Sequence, residues 1–364
     1  VISSELNEVM ALGDRILVMR QGRLAGELSK EQATQERILE LALPKEGEEV
    51  TRQTAAKGFK REFAVAGLLL ATIILATVVN PSFLSLENLR DMLVRVAPAV
   101  IVGTMMTLVI LAREIDISVG SLMGLCAATL GIAASPDRMG LPVGVAIVAC
   151  LGIGALGGLV NGLLVSYARI PSIIVTLGTL TLFKGATELA MGGKWIENMP
   201  PALRSFGTGN AVIFVAIAAA LIGIWITRRT RLGMRVFAIG SNPNAAALNG
   251  VRSNKVRLFV FTLTGIGAAV AALFSATQLQ VIESGFGSGF ELVAIASVIV
   301  GGTSIRGGRG SVIGTVLGAS LLGIVSTVLI FLKLGQSSTY WERAIQGGLI
   351  LLAVLGDHIN RRKR

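Results

Sequence analysis

The sequence predicts an all-α polytopic membrane protein of about ten transmembrane helices, preceded by a short N-terminal α/β fragment. Three observations point there. Of the 364 residues, 52% are hydrophobic and 15% are charged, with mean hydropathy +0.72; an ordinary soluble domain carries roughly 25% charged residues. Long apolar runs recur from about residue 63 onward, and they are continuous rather than alternating, which argues against a β-barrel. The chain holds 44 glycines and only 5% aromatics, a composition that lets helices approach closely in lipid, where close packing drives association.

Residues 1–44 read as a soluble piece. Ile16 to Met19 and Arg23 to Leu28 predict two strands around Gly22, and Thr34 to Ala42 predicts a short helix capped by Thr34. Residues 45–60 are polar and charged and read as a linker. The membrane domain is expected over 61–358, with a basic tail at 359–364. A span needs ~20 apolar residues. Candidates lie near 63–79, 92–112, 118–134, 142–166, 172–192, 211–227, 256–277, 291–303, 312–332 and 342–356. The runs at 291–303 and 342–356 are short, so tilted, re-entrant or broken segments are expected there. The first long apolar stretch starts too late for a cleavable signal peptide. The chain starts at Val1, not Met, so a trimmed chain or a fragment is expected.

The net charge of +11 follows the expected topology. Alternating the spans from a cytoplasmic N-terminus puts three basic clusters inside: residues 45–61, residues 228–257 and Arg361 to Arg364. Lys and Arg favour that side of the membrane. Charge is therefore a topology signal, and nucleic-acid binding is not expected. Tyr167, Trp195, Trp225, Tyr340 and Trp341 fall at span ends, where amphipathic rings prefer the headgroup level.

Four stretches could carry function. In LAREIDISVG (111–120), Glu114 and Asp116 sit at a membrane boundary, where ionisable groups are costly unless solvated or paired. They could form a proton or cation site. Alternatively, Arg113 pairs with an acid and Asp116 or Ser118 caps the next helix. The second stretch, IVGGTSIRGGRGSVIG (299–314), is glycine-rich, with Gly301, Gly302, Gly307 and Gly308. It lacks the Lys that a phosphate-binding P-loop requires, so tight turns and close packing are expected, with Arg306 and Arg309 facing the cytoplasm. The third, SNPNAAALNG (241–250), has the grammar of one short helix. Asn242 suits the N-cap and Pro243 the first turn, Ala245, Ala246 and Leu248 propagate it, and Gly250 ends it. Such a helix needs something to pack against, either a partner protein or the membrane surface. The fourth is Asn161, an amide inside an apolar run, which could line a cavity or join two helices by a hydrogen bond.

Catalytic and metal constellations are not expected. The one histidine is His358, and Cys126 and Cys150 read as small buried hydrophobes.

REIDISVGSLMGL resembles the GGIDLSVGS stretch of bacterial ABC permeases for ribose and related sugars. NGLLVSYARIPSIIVTLGTLTL, GGKWIENMP, SNPNAAALNGV and IVGGTSIRGGRGS resemble further stretches of that family in the same order, covering about residues 62–357. GGKWIENMP together with SLMGLCAATLG looks closest to the autoinducer-2 type, with the rhamnose type close behind. Arg113 and Glu114 stand where the ribose type has two glycines, which argues against ribose itself. The resemblance implies a multi-pass inner-membrane permease with cytoplasmic ends. A second permease, identical or paralogous, completes the pathway. A periplasmic sugar-binding protein delivers the cargo, and a sugar ABC ATPase uses the ATP. It makes 242–250 the helix that couples to that ATPase. Glu114, Asp116, Ser118 and the four glycines of 301–308 belong to family motifs without assigned roles.

SSELNEVMALGDRILVMRQGRLAGEL resembles the C-terminal end of the tandem sugar ABC ATPases, with Ser4 where an active ATPase carries its switch histidine. The fragment lacks Walker motifs and a signature loop, so no ATP hydrolysis is expected of it. A fused or misassigned reading frame is expected rather than an evolved cytoplasmic cap.

These readings converge on the permease subunit of an ATP-driven importer of a small sugar or sugar-like molecule, binding no cofactor or metal itself. A neutral cargo calls for hydroxyl, amide and aromatic contacts, and Asn161, Glu188, Trp195 and Gln278 are the pathway candidates. The rivals are a proton-coupled secondary transporter using Glu114, Asp116 or Glu188, and a non-transporting receptor or scaffold.

Overall fold

The computed structural model describes residues 14–20, 23–42, 50–331 and 338–362, so Ser4 and Gly22 lie outside the described residues. It divides into two units, Val1–Lys57 and Gly58–Arg364.

In the first unit, β1 (Arg15–Arg20) and β2 (Arg23–Ser29) form an antiparallel pair with a bulge at Val18/Met19. Helix α1 (Gln35–Ala42) follows, and Thr34 Oγ1 accepts from the Arg37 N–H at 3.2 Å, the cap that its sequence implies. Ile16, Val18, Leu28, Ala33 and Ile38 make a small core, with Leu41 against it. Helix α2 (Val50–Val79) begins inside the stretch that reads as a linker, and from Gly58 onward it belongs to the second unit. From Val50 onward that stretch has no proline and is rich in Arg, Gln, Ala and Lys, which propagate a helix once a long apolar segment follows.

The second unit is a helical bundle. Its helices are α3 (Leu86–Leu111), α4 (Val119–Ala134), α5 (Val143–Ser166), α6 (Ser172–Met191), α7 (Pro201–Thr208), α8 (Ala211–Arg229), α9 (Arg231–Ser241), α10 (Pro243–Leu248), α11 (Ser253–Gln278), α12 (Phe290–Val300), α13 (Val312–Phe331) and α14 (Ser338–Arg362). Each predicted span coincides with a helix, but among the described residues seven segments are long and apolar enough to cross a membrane. Helices α4 and α12 are apolar and shorter.

Helix α3 is the axis of the bundle: from Val96 to Leu111 it is continuously buried. Around it, glycines set the helix spacing. On α5, Gly154, Gly158 and Gly162 repeat every four residues and form one stripe that packs on Gly265, Phe261 and Leu258 of α11. A Cβ at Gly158 would sit 2.4 Å from the Phe261 carbonyl oxygen, so the backbones touch. Without a hydrophobic drive between helices in lipid, this contact is what holds them. On the periphery, α2 packs through Ala76 against Met92 and Ile324, with Phe83 edge-on to Phe331 at 5.6 Å.

The bundle has two ends. At one, Gly308 N–H donates to the Leu111 carbonyl at 3.0 Å, and Glu114 meets Arg257. At the other, Ser135 Oγ donates to the Glu197 carbonyl at 2.9 Å, and Ile196 bridges Ile282.

Candidate functional site

The chain leaves α3 at Leu111 and runs without helix to Ser118 before α4 begins. Polar groups fill this break. Asp116, 1% exposed, accepts from the Ser118 N–H at 2.9 Å and from its hydroxyl at 2.7 Å. Asn161 Nδ2 on α5 donates to Ser118 Oγ at 2.8 Å. Asn161 is fully buried, so it joins α5 to the start of α4 and lines no open surface of this chain. Of its two sequence readings, the interhelical hydrogen bond is the one present in this chain. The cap is also particular: Ser118 holds the N-cap position but makes no side-chain cap bond, and Asp116 takes its N–H instead.

Glu114 pairs across the bundle and not with its neighbour Arg113. Its carboxylate lies 2.8 Å from Arg257 Nε on α11, an ion pair in which the N–H is not aligned on the oxygen. Burial pushes the Glu114 carboxyl above its usual range, and a hydrogen bond from Ser172 and the charge of Arg257 pull the other way. Ser172 also accepts the Ile115 N–H, which pins the break against α6.

A second break carries no motif that marks it as a site in the sequence. Helix α12 has 11 residues, about 17 Å at 1.5 Å per residue, against ~30 Å of hydrocarbon. Residues 279–289 cover the remainder without helix. They run along α4: Ile282 lies over Gly131, the Phe286 carbonyl over Gly124 and the Gly287 carbonyl over Gly120. A Cβ on Gly124 or Gly120 would come within 2.5 Å of those carbonyl oxygens, so α4 must be bare there. Gly287 and Gly289 take φ of 82° and 87°, conformations open to glycine. The available signal is Gly285, Gly287 and Gly289 ahead of a run too short to cross.

In the middle of this segment Ser284 joins Glu188, Met191, Gly193, Lys194 and Trp195 around a cavity of 80 Å³. Two pathway candidates, Glu188 and Trp195, therefore meet at one cavity. Gln278, exposed at the C-terminus of α11, lies at the same end of the bundle but not on that cavity. Asn161 lies in the other half. The cavity is lined by an indole, a carboxylate, an ammonium and a hydroxyl.

At the opposite end, α9 and α10 form an external arm. Asn242 Oδ1 accepts from the Ala245 N–H at 3.0 Å, Pro243 opens α10, and Gly250 at φ 75° follows it. Leu248 is 89% exposed, whereas Ala246 is buried in the core of its own chain. The outward face of the arm is thus Leu248 and not Ala246, because a six-residue helix lying on the bundle must turn one side inward. The glycine loop holds the arm in place. Gly240 abuts the Leu111 carbonyl and Gly308, Gly301 abuts Gly314, and Gly302, Gly307 and Gly308 have positive φ. These are turn and packing glycines. Arg306 and Arg309 are exposed beside them.

Apolar helices too short to span, with non-helical backbone packed along the bundle, occur in membrane transporters. Residues 88–354 match the family described as branched-chain amino acid transport system / permease component, and the chain belongs to that family. It is 40% identical over 304 residues to the autoinducer 2 import system permease protein LsrC of Enterobacter sp. (strain 638), covering 81% of this chain and 85% of the relative. It is 36% identical over 300 residues to the LsrC protein of Yersinia pseudotuberculosis serotype O:1b (strain IP 31758), covering 81% and 84%. The chain is a multi-pass permease subunit of an ABC importer, a transport subunit and not an enzyme. Such a subunit implies an ATPase and a substrate-binding partner.

Proposed function

We propose that this permease carries a small, neutral, polyhydroxy molecule of the autoinducer-2 type inward across the inner membrane, by alternating access with a second permease. The observation that carries this reading is the non-helical segment 279–289, which brings Ser284 to Glu188 and Trp195. Backbone that is not helical at membrane depth is stable only where protein covers it or it lines a water-filled cavity. Glu283, Gly285, Ser288 and Gly289 are exposed on the isolated chain, so the segment faces a pathway or the second permease. The relatives that are named for autoinducer 2 support the choice of cargo within the sugar-like class.

In this reading a periplasmic binding protein delivers the cargo to the Trp195 end. A sugar ABC ATPase docks on the Leu248 arm from the cytoplasm and supplies the ATP-driven cycle. Both chain ends then lie inside. The strand pair and helix within residues 15–42 are the remnant of the C-terminal end of such an ATPase, in keeping with their strand-strand-helix order. Uptake of labelled autoinducer-2 by cells holding this chain with its partners, competed by rhamnose and by a pentose, tests the cargo. Competition by autoinducer-2 alone supports the reading, and equal competition by the pentose overturns it.

A further inference from the structure

At the end opposite the Trp195 cavity lies a larger one, of 310 Å³, lined by Glu114, the end of α5, residues 169–171 and the start of α11. Its polar lining is Glu114, Ser166, Arg169, Asn254 and Arg257. Arg257 is neutralised by Glu114. Arg169, an exposed residue on the cavity rim, has neither a carboxylate nor a hydrogen-bond partner among the described residues, so the lining carries two guanidinium groups against the single carboxylate of Glu114. Arg169 is also held at φ 58°, a left-handed conformation unusual for a side-chain-bearing residue.

Ser166 is 1% exposed, and its hydroxyl has no partner. Several buried hydroxyls on these helices donate to the carbonyl four residues back, as Thr176, Thr187 and Thr264 do, whereas Thr104 and Thr327 have no partner. Ser166, one of the residues that line the cavity, is likewise unpaired. An unsatisfied hydroxyl at this depth is costly. The cavity thus offers a guanidinium, a hydroxyl and the Asn254 amide, donors that suit a tetrahedral oxyanion, and Ile170 adds an apolar wall.

The location selects the source of that anion. The cavity sits where α5 ends, next to Tyr167, an exposed aromatic of the kind that marks the headgroup level. Basic pockets between membrane helices at this level take phospholipid headgroups. We propose that this cavity binds the phosphate of an anionic phospholipid, with Arg169 and Ser166 as its principal donors.

The test uses the purified full chain, with phosphatidylglycerol in phosphatidylcholine nanodiscs against phosphatidylcholine alone, and separately with inorganic phosphate. Native mass spectrometry reads lipid retained per chain, and thermal unfolding reads stabilisation. Phosphatidylglycerol is expected to be retained and to raise the unfolding temperature, with apparent affinity falling about tenfold or more in Arg169→Gln and in Ser166→Ala. In phosphatidylcholine alone Arg169→Gln is expected to unfold like the parent and Ser166→Ala, which removes an unpaired buried hydroxyl, at the same or a higher temperature, while Arg306→Gln, at the same end but outside the cavity, is expected to retain lipid normally. Equal retention by Arg169→Gln, or an equal loss in Arg306→Gln, overturns the site. Stabilisation by inorganic phosphate without retention of phosphatidylglycerol overturns the lipid assignment.

Discussion

Replacing Gly158 by alanine tests whether backbone contact between α5 and α11 holds the bundle. The new Cβ would lie 2.4 Å from the Phe261 oxygen, 2.9 Å from Thr262 Cα and 3.1 Å from Gly265 Cα. All three are backbone atoms that cannot rotate away. Ordinary contact at about 3.4 Å requires the helices to part by about 1 Å, a gap that forfeits a quarter to a half of each dispersion contact along the stripe. Overpacking of this kind costs about 1–3 kcal/mol. Gly152, on the same helix, has nothing within 4 Å of its Cβ position, so Gly152→Ala is neutral or favourable through helix propensity. Thermal unfolding in detergent, read by size-exclusion chromatography, compares the two. Gly158→Ala is expected to unfold at a clearly lower temperature than Gly152→Ala. Equal unfolding temperatures would refute the reasoning, because the two variants differ only in what the added methyl meets.

Other substitutions test the remaining sites. Asn161→Ala removes a fully buried donor to Ser118 and is expected to cost about 1–3 kcal/mol in the same unfolding assay, while leaving the concentration dependence of uptake unchanged; a changed KM at parental stability would return Asn161 to the pathway. Leu248→Asp is expected to abolish ATPase co-purification without loss of stability, and Ala246→Asp, which buries a charge, to destabilise the permease itself; normal ATPase binding by Leu248→Asp would remove α10 from the coupling surface. Trp195→Ala is expected to reduce uptake at least severalfold with the assembled complex intact, checked by pull-down of the ATPase alongside transport.

Much of the fold is legible in the sequence because lipid imposes a simple rule: apolar length marks a helix, and all the predicted spans are helical. Local grammar is equally readable at α10, where Asn242, Pro243 and Gly250 play the parts their chemistry suggests. Legibility fails where position depends on another helix. Nothing near Glu114 in the chain indicates Arg257, which lies on α11. Asn161 suits a cavity or a helix contact equally until Ser118 is placed beside it. Ala246 and Leu248 are alike in sequence terms and differ only in which side of a short helix rests on the bundle. The segment 279–289 is not legible as a site because its glycines take their meaning from the bare face of α4 at Gly120, Gly124 and Gly131.

The central claim is ATP-driven transport through this chain. Its most direct test is uptake of labelled cargo into vesicles holding this chain with its partner permease and ATPase, supplied with the binding protein and with ATP on the ATPase side. Uptake is expected to require ATP and the binding protein and to survive collapse of the proton gradient by a protonophore. Uptake that persists without ATP and stops with the protonophore would contradict it and establish a proton-coupled carrier.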